Sequence, residues 1–161
     1  MNGIPTKHQP LKMQNRSIPT NTLIPHIVYR DYLAAAAWLI RVFNFTEHFR
    51  YGDPTSGGMQ LHLNHAHIMI TGPRPNTDSP INLGACTQYL TIIVPDVKAH
   101  YHHAQQQQAM IWEDLHETIY GEHQYGAYDL DNHRWIFSQH ARDLNPTDWG
   151  ATLASAPTPN L

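Results

Sequence analysis

Two stretches of the chain share one hydrophobic pattern. Residues 23–31 (LIPHIVYRD) and 88–96 (QYLTIIVPD) are apolar runs that each close on an aspartate. Both are short and rich in β-branched residues, as suits a buried strand. Asp31 and Asp96 are each placed to cap a following helix, because a carboxylate accepts the free N–H groups of a first helical turn. One helical stripe follows each cap: Tyr32, Ala36, Leu39 and Phe43 in the first copy, Val97, Tyr101, Ala104 and Gln108 in the second. The Gln105–Gln108 run reads as a solvated helix end. Strand-like segments come next, at 45–51, 59–64 and 65–71 in the first copy, and at 110–116, 124–130 and 134–139 in the second.

The pattern predicts strand, helix and three strands, twice over, which is an α+β fold. Residues 1–21, with Pro5, Pro10 and Pro19, read as a flexible N-terminal arm. Residues 22–140 read as the folded body, with a first module at 22–72, a linker at 73–86 and a second module at 87–140. Residues 141–161 read as a C-terminal tail, whose Trp149 packs onto its own domain or a partner subunit. Each module is small for a core of its own, so the two are expected to bury apolar faces jointly.

Composition narrows the function. Of 161 residues, 41% are hydrophobic and 10% aromatic, which excludes a wholly disordered chain. The sequence holds no apolar run long enough for a membrane span. Ten basic against 13 acidic side chains give a net charge of −3, with no electrostatic footprint for nucleic acid. A single cysteine, Cys86, excludes an intrachain disulfide framework. The opening stretch lacks the apolar core of a secretory signal, so a cytoplasmic location is expected.

Thirteen histidines invite a metal hypothesis. His62, His65 and His67 are the densest group, with His65 and His67 on one face if that stretch is a strand. Their spacing matches no standard motif, which favours a solvated hairpin. His102 and His103 are neighbours on a helix and diverge by about 100°. Cys86 has no activating base nearby in sequence and reads as an inert thiol.

The segment 120–138 (YGEHQYGAYDLDNHRWIFS) carries a more specific signal. With Pro25, His26 and Asp31, the alanines 34–37 and Phe43, it resembles the vicinal oxygen chelate superfamily, which includes glyoxalase I, bleomycin-resistance proteins and extradiol dioxygenases. Asp129, His133 and Trp135 match that family's last hairpin. Leu130 and Asn132 replace its usual proline and glycine, and asparagine tolerates the left-handed conformation that glycine supplies. The resemblance covers most of the body. It implies two βαβββ modules forming a curved mixed sheet, a cup with helices on its outer face.

Strand alternation assigns the lining of such a cup. Arg134, Ile136 and Ser138 share one face of the last strand, and Trp135 and Phe137 share the other, under a helix. Ile24, His26 and Val28 share a face, as do Tyr89, Thr91 and Ile93. By the resemblance, metal-using members place ligands at positions that fall here on Ile24, Met69, Tyr89 and Ile136. None is a usual ligand for a divalent ion. No metal and no other cofactor is therefore expected, and no catalytic residue is assigned. The expected ligand pocket comprises His26, Met69, Tyr89, Trp112, Tyr120, Tyr125, Arg134, Ile136 and Ser138. Tyr125 is preferred over Tyr128, which lies on the opposite face of the same strand, while Trp112 belongs either to the cup or to the helix-facing core.

The expected function is metal-free sequestration of an amphipathic or aromatic small molecule, in the manner of bleomycin-resistance proteins. One alternative is a metal-dependent lyase, isomerase or dioxygenase of the same superfamily. Another is a non-catalytic protein-interaction module. The resemblance also implies a homodimer, and leaves open whether the modules pair within one chain or swap between two.

Overall fold

The computed structural model describes residues 23–154. The first half runs β1 (His26–Val28), α1 (Tyr32–Phe43), β2 (Thr46–Tyr51), β3 (Gly58–Leu63) and β4 (Ala66–Thr71). A short helix, α2 (Pro80–Leu83), follows. The second half repeats the plan with β5 (Tyr89–Ile93), α3 (Val97–Gln106), β6 (Met110–Glu117), β7 (Glu122–Tyr128) and β8 (Arg134–His140). A 3₁₀ turn at Pro146–Trp149 comes after it. The proposed arm at 1–21 lies outside the described residues.

Each half builds a four-stranded mixed sheet, ordered β1-β4-β3-β2 and β5-β8-β7-β6. β1 pairs parallel with β4, and β5 with β8, while the other neighbours are antiparallel. Both predicted caps are present. Asp31 accepts from the backbone N–H groups of Leu33 and Ala34 at 3.0 Å, and Asp96 accepts from Ala99 at 2.9 Å. β1 is shorter than its apolar run because Pro25 has no N–H to give the ladder. Its carbonyl still accepts from Met69 at 2.8 Å.

Two details depart from the sequence reading. The linker is not featureless: Pro80 opens α2, and Ile81 N–H donates to the Asp131 carbonyl at 3.0 Å. Proline suits a first helical turn because the N–H it lacks would have no helical partner there. The last strand of the first module starts at Ala66 rather than His65. Asn64 takes a left-handed φ of 53°, so Asn64 and His65 form a tight β3–β4 turn.

The helix-facing sides of the two sheets share one core. Phe43 and Phe45, at the end of α1, pack edge-on against Trp135 and Phe137 of β8, with centroids 4.8–6.1 Å apart. Trp135 and Phe137 are fully buried there. A polar hub locks the same seam. Asp129 accepts from the Tyr29 hydroxyl at 2.6 Å, the Trp135 indole at 2.8 Å and the backbone N–H groups of Asp131 and His133. Arg30 reaches across to Asp131 through Nε at 3.0 Å and Nη2 at 2.9 Å. The matched hairpin residues Asp129, His133 and Trp135 thus work as structure, and Asn132 takes its left-handed φ of 66°.

Candidate functional site

The helices cover one side of each sheet, which leaves the other side to make a site. On the second sheet that open face is built by Tyr89 of β5, Trp112 of β6, Gly126 and Tyr128 of β7, and Arg134 and Ile136 of β8. Trp112 lies in a stretch where the β6–β7 register shifts, and its ring crosses Gly126. A β-carbon at Gly126 would stand 2.4 Å from the indole, so only glycine admits the ring there. Trp112 therefore belongs to the open face and not to the helix-facing core.

Three aromatic rings surround the Arg134 guanidinium. Its central carbon is 5.2 Å from the Tyr89 ring centroid, 5.6 Å from Trp112 and 5.4 Å from Tyr128. Nη1 donates to the Tyr89 hydroxyl at 2.5 Å. The negative faces of the rings hold the cation in place. Among the described residues, two buried donors in this cluster, Arg134 Nε and Trp112 Nε1, find no hydrogen-bond acceptor. Beside it opens a cavity of about 450 Å³, lined by Tyr128 and Arg134 with Met110, Cys86 and the linker residues Pro80 and Ile81. The Cys86 thiol points its hydrogen at the Gln88 carbonyl, 3.0 Å away.

The far end of the same face is polar. Tyr120 donates to Gln124 at 2.6 Å, and Gln124 donates to Glu113 at 3.0 Å. Ser138 donates to Glu122 at 3.1 Å. Trp149 of the tail rests on Tyr120, with centroids 5.9 Å apart.

The expectation for Tyr125 is overturned. Tyr125 pairs with Phe137 in the β7–β8 ladder, so it faces the helices and is fully buried. Its hydroxyl is 2.6 Å from Nδ1 of His100 on α3, and Nε2 of that histidine is 3.1 Å from the Phe43 carbonyl. A carbonyl only accepts, so Nε2 carries the proton and Nδ1 accepts from Tyr125. Burial lowers the His100 pKa, only partly offset by the Phe43 carbonyl. Burial, with a lesser contribution from Tyr101, raises that of Tyr125. Tyr128, on the other face of β7, is the tyrosine of the open side.

The first sheet presents a histidine-rich face. His26 is exposed and pairs with Met69. Gln60 donates to the Met69 sulfur at 3.5 Å, and His48 Nδ1 meets the Gln60 carbonyl oxygen at 2.5 Å. His48, His62 and His67 gather with ring centroids 5.3–6.4 Å apart. This trio replaces the expected His62, His65 and His67. A register shift between Glu47 and Phe49 brings in His48, a residue that sequence alternation missed. Burial and the neighbouring imidazoles lower the pKa of His67.

The pocket residues expected from sequence thus divide between two sheets. Tyr89, Trp112, Arg134 and Ile136 share the aromatic end of the second sheet, with Tyr120 and Ser138 at its polar end. Of the expected pocket residues, Arg134 alone lines the 450 Å³ cavity; His26 and Met69 lie on the first sheet, and Tyr89, Trp112, Tyr120, Ile136 and Ser138 lie outside its lining. A divalent ion does not fit the four family positions. Ile24 and Ile136 offer no lone pair, the Met69 sulfur accepts from Gln60, and the Tyr89 hydroxyl accepts from Arg134. Among the described residues, no three histidine, cysteine or acidic side chains are placed to hold a metal ion.

The comparisons agree with this architecture. The family model described as the Glyoxalase/Bleomycin resistance protein/Dioxygenase superfamily matches residues 23–137. The solved structure of TioX from Micromonospora sp. ML1 is 27% identical with a TM-score of 0.62, covering 74% of this chain and 98% of that one. TnmS3, an antibiotic binding protein from Streptomyces sp. CB03234, is 13% identical with a TM-score of 0.60, covering 76% of this chain and 98% of its own. The fosfomycin resistance protein FosX from Listeria monocytogenes is 14% identical with a TM-score of 0.58, covering 77% and 96%. No curated protein matches the chain.

Proposed function

The chain belongs to the Glyoxalase/Bleomycin resistance protein/Dioxygenase superfamily, and within it we propose that the protein binds a flat, amphipathic small molecule without a metal ion and without chemical change. The observation that carries this reading is the Trp112 indole laid over Gly126, with Tyr89 and Tyr128 beside it, at the edge of a 450 Å³ cavity. Aromatic faces stack on flat ligands, and a few polar groups among apolar walls set orientation. Two proteins of the same fold, TnmS3 and FosX, are an antibiotic binding protein and a fosfomycin resistance protein. The binding role of such a fold is consistent with that use.

The reading includes a homodimer. The open face of the second sheet leaves Tyr89 51%, Ile93 63% and Met110 64% exposed. A second copy seated on that face would close the pocket and remove this apolar surface from water. It also includes a cytoplasmic location, where the lone Cys86 stays reduced.

The test is a thermal-shift screen of flat organic compounds, with metal content measured on protein purified without a histidine tag. A ligand for the native state raises the melting temperature with concentration, and Tyr89→Ala is expected to abolish the shift. Stoichiometric iron, zinc or nickel, lost on mutation of His26 or of His48, His62 and His67, would instead favour a metal-dependent enzyme. A protein partner in place of any small-molecule hit would favour an interaction module.

A further inference from the structure

We propose that the ligand carries a carboxylate and that Arg134 is the residue that reads it, an inference that rests on the aromatic-ligand reading above. Among the described residues, no carboxylate pairs with Arg134. Arg30 pairs with Asp131, Arg50 with Glu47 and Arg142 with Glu117. Among the described residues, Arg134 meets the rings of Tyr89, Trp112 and Tyr128 and the hydroxyls of the two tyrosines. The carboxylates on its own sheet face are turned elsewhere: Glu113 accepts from Gln124, and Glu122 accepts from Ser138 and His140.

The guanidinium is also held ready. Three rings set its position, Tyr89 anchors Nη1, and Nε is a buried donor with no acceptor. Elsewhere in this chain an arginine uses Nε on a carboxylate: Arg30 binds Asp131 through Nε and Nη2. Planar fork geometry of this kind suits a carboxylate better than a point anion.

The cavity supplies the rest of the selectivity. Arg134 is the one charged residue among those lining it, and Pro80, Ile81, Met110 and Tyr128 form largely apolar walls. A cationic ligand would meet an uncompensated positive charge. A neutral one would leave the guanidinium charge uncompensated. An aromatic acid satisfies both the walls and the fork. The chain as a whole carries a net charge of −3, so this local preference runs against its overall sign.

The experiment compares 2-naphthoate, its neutral amide 2-naphthamide and the cation 2-naphthylmethylammonium by isothermal titration against the full chain. The same titrations are run on R134Q and R134K, with each variant's melting temperature checked first. The acid is expected to bind about tenfold or more tightly than the amide, the range of a charge-assisted hydrogen bond. R134Q should erase the acid-over-amide ratio, and R134K should keep part of it. If acid and amide bind alike to the wild-type chain, the carboxylate inference fails and the aromatic-binder reading stands. If R134Q weakens both alike, or weakens self-association instead, Arg134 is a packing or interface residue and the inference again fails. If none of the three binds, the binder reading falls and takes this one with it.

Discussion

Trp112 and Gly126 occupy one site between them: the indole fills the space where any other residue at 126 would carry its side chain. Gly126→Ala puts a methyl 2.4 Å from the ring, so the indole must shift to admit it. The substitution is expected to destabilise the fold by about 1–3 kcal/mol, the usual range for overpacking. It should also shift the tryptophan fluorescence as the ring leaves the sheet. The pair Gly126→Ala with Trp112→Ala should cost less than the sum of the two single changes, because the clash disappears with the ring. Urea denaturation of the four proteins checks it, and strict additivity would contradict the contact.

The Tyr29 hydroxyl ties the first module to the Asp129 hub of the second, and Tyr29 has no exposed surface. Burial, reinforced by the Asp129 carboxylate, pushes its pKa well above the ordinary tyrosine value, so it remains a donor at any working pH. Tyr29→Phe keeps the ring and removes that donor from a buried carboxylate. A loss of about 1.5–3 kcal/mol is expected, as for hydrogen bonds to charged groups. Trp135→Phe removes a second donor to the same carboxylate oxygen, and the double variant should show coupling between the two. A loss within a few tenths of a kcal/mol would mean that the hub does not carry the seam.

Much of this architecture was written in the hydrophobic pattern. Asp31 and Asp96 announced both helices because a capping carboxylate acts locally. Alternation along β8 sorted Arg134, Ile136 and Ser138 from Trp135 and Phe137 because a strand has period two. The misses came from features that act between strands. Choosing between Tyr125 and Tyr128 needed the ladder that sets Tyr125 opposite Phe137. His48 joins the histidine face only because β2 shifts register beside it. The Trp112 platform had one sequence signal, a glycine inside a strand, which marks close approach of another group but does not say which.

Chelation separates binding from metal catalysis. Dialysis against EDTA is expected to leave both the melting temperature and naphthoate affinity unchanged, because no family ligand position carries a usual donor. A drop in either that returns with added zinc, nickel or iron would overturn the metal-free reading. The trio His48, His62 and His67 would then be the first place to mutate.

Acid should weaken this fold through two histidines. Burial lowers the pKa of His100, and burial with the imidazoles of His62 and His48 lowers that of His67. In the unfolded chain both titrate near the ordinary value of about 6.5. Between that value and the lower folded pKa, the unfolded state binds more protons, so stability rises with pH across this window. The contribution is complete above about pH 6.5 and is lost as pH falls through the folded values. His140 acts in the opposite sense. Hydrogen bonds that its ring N–H groups donate to Glu122 and Asp143 raise its pKa, so its contribution is present at low pH and fades as pH rises through the folded value. It is exposed, so solvent screening keeps that opposing effect small. Urea midpoints measured from pH 8 down to pH 5 are therefore expected to decline. His67→Gln should flatten the decline without a large loss at pH 8. His100→Gln should flatten it too, but at a cost at every pH, because it disturbs the bonds to Tyr125 and the Phe43 carbonyl. A midpoint that rises on acidification, or a slope unmoved by both substitutions, would show that these imidazoles do not govern the acid limb.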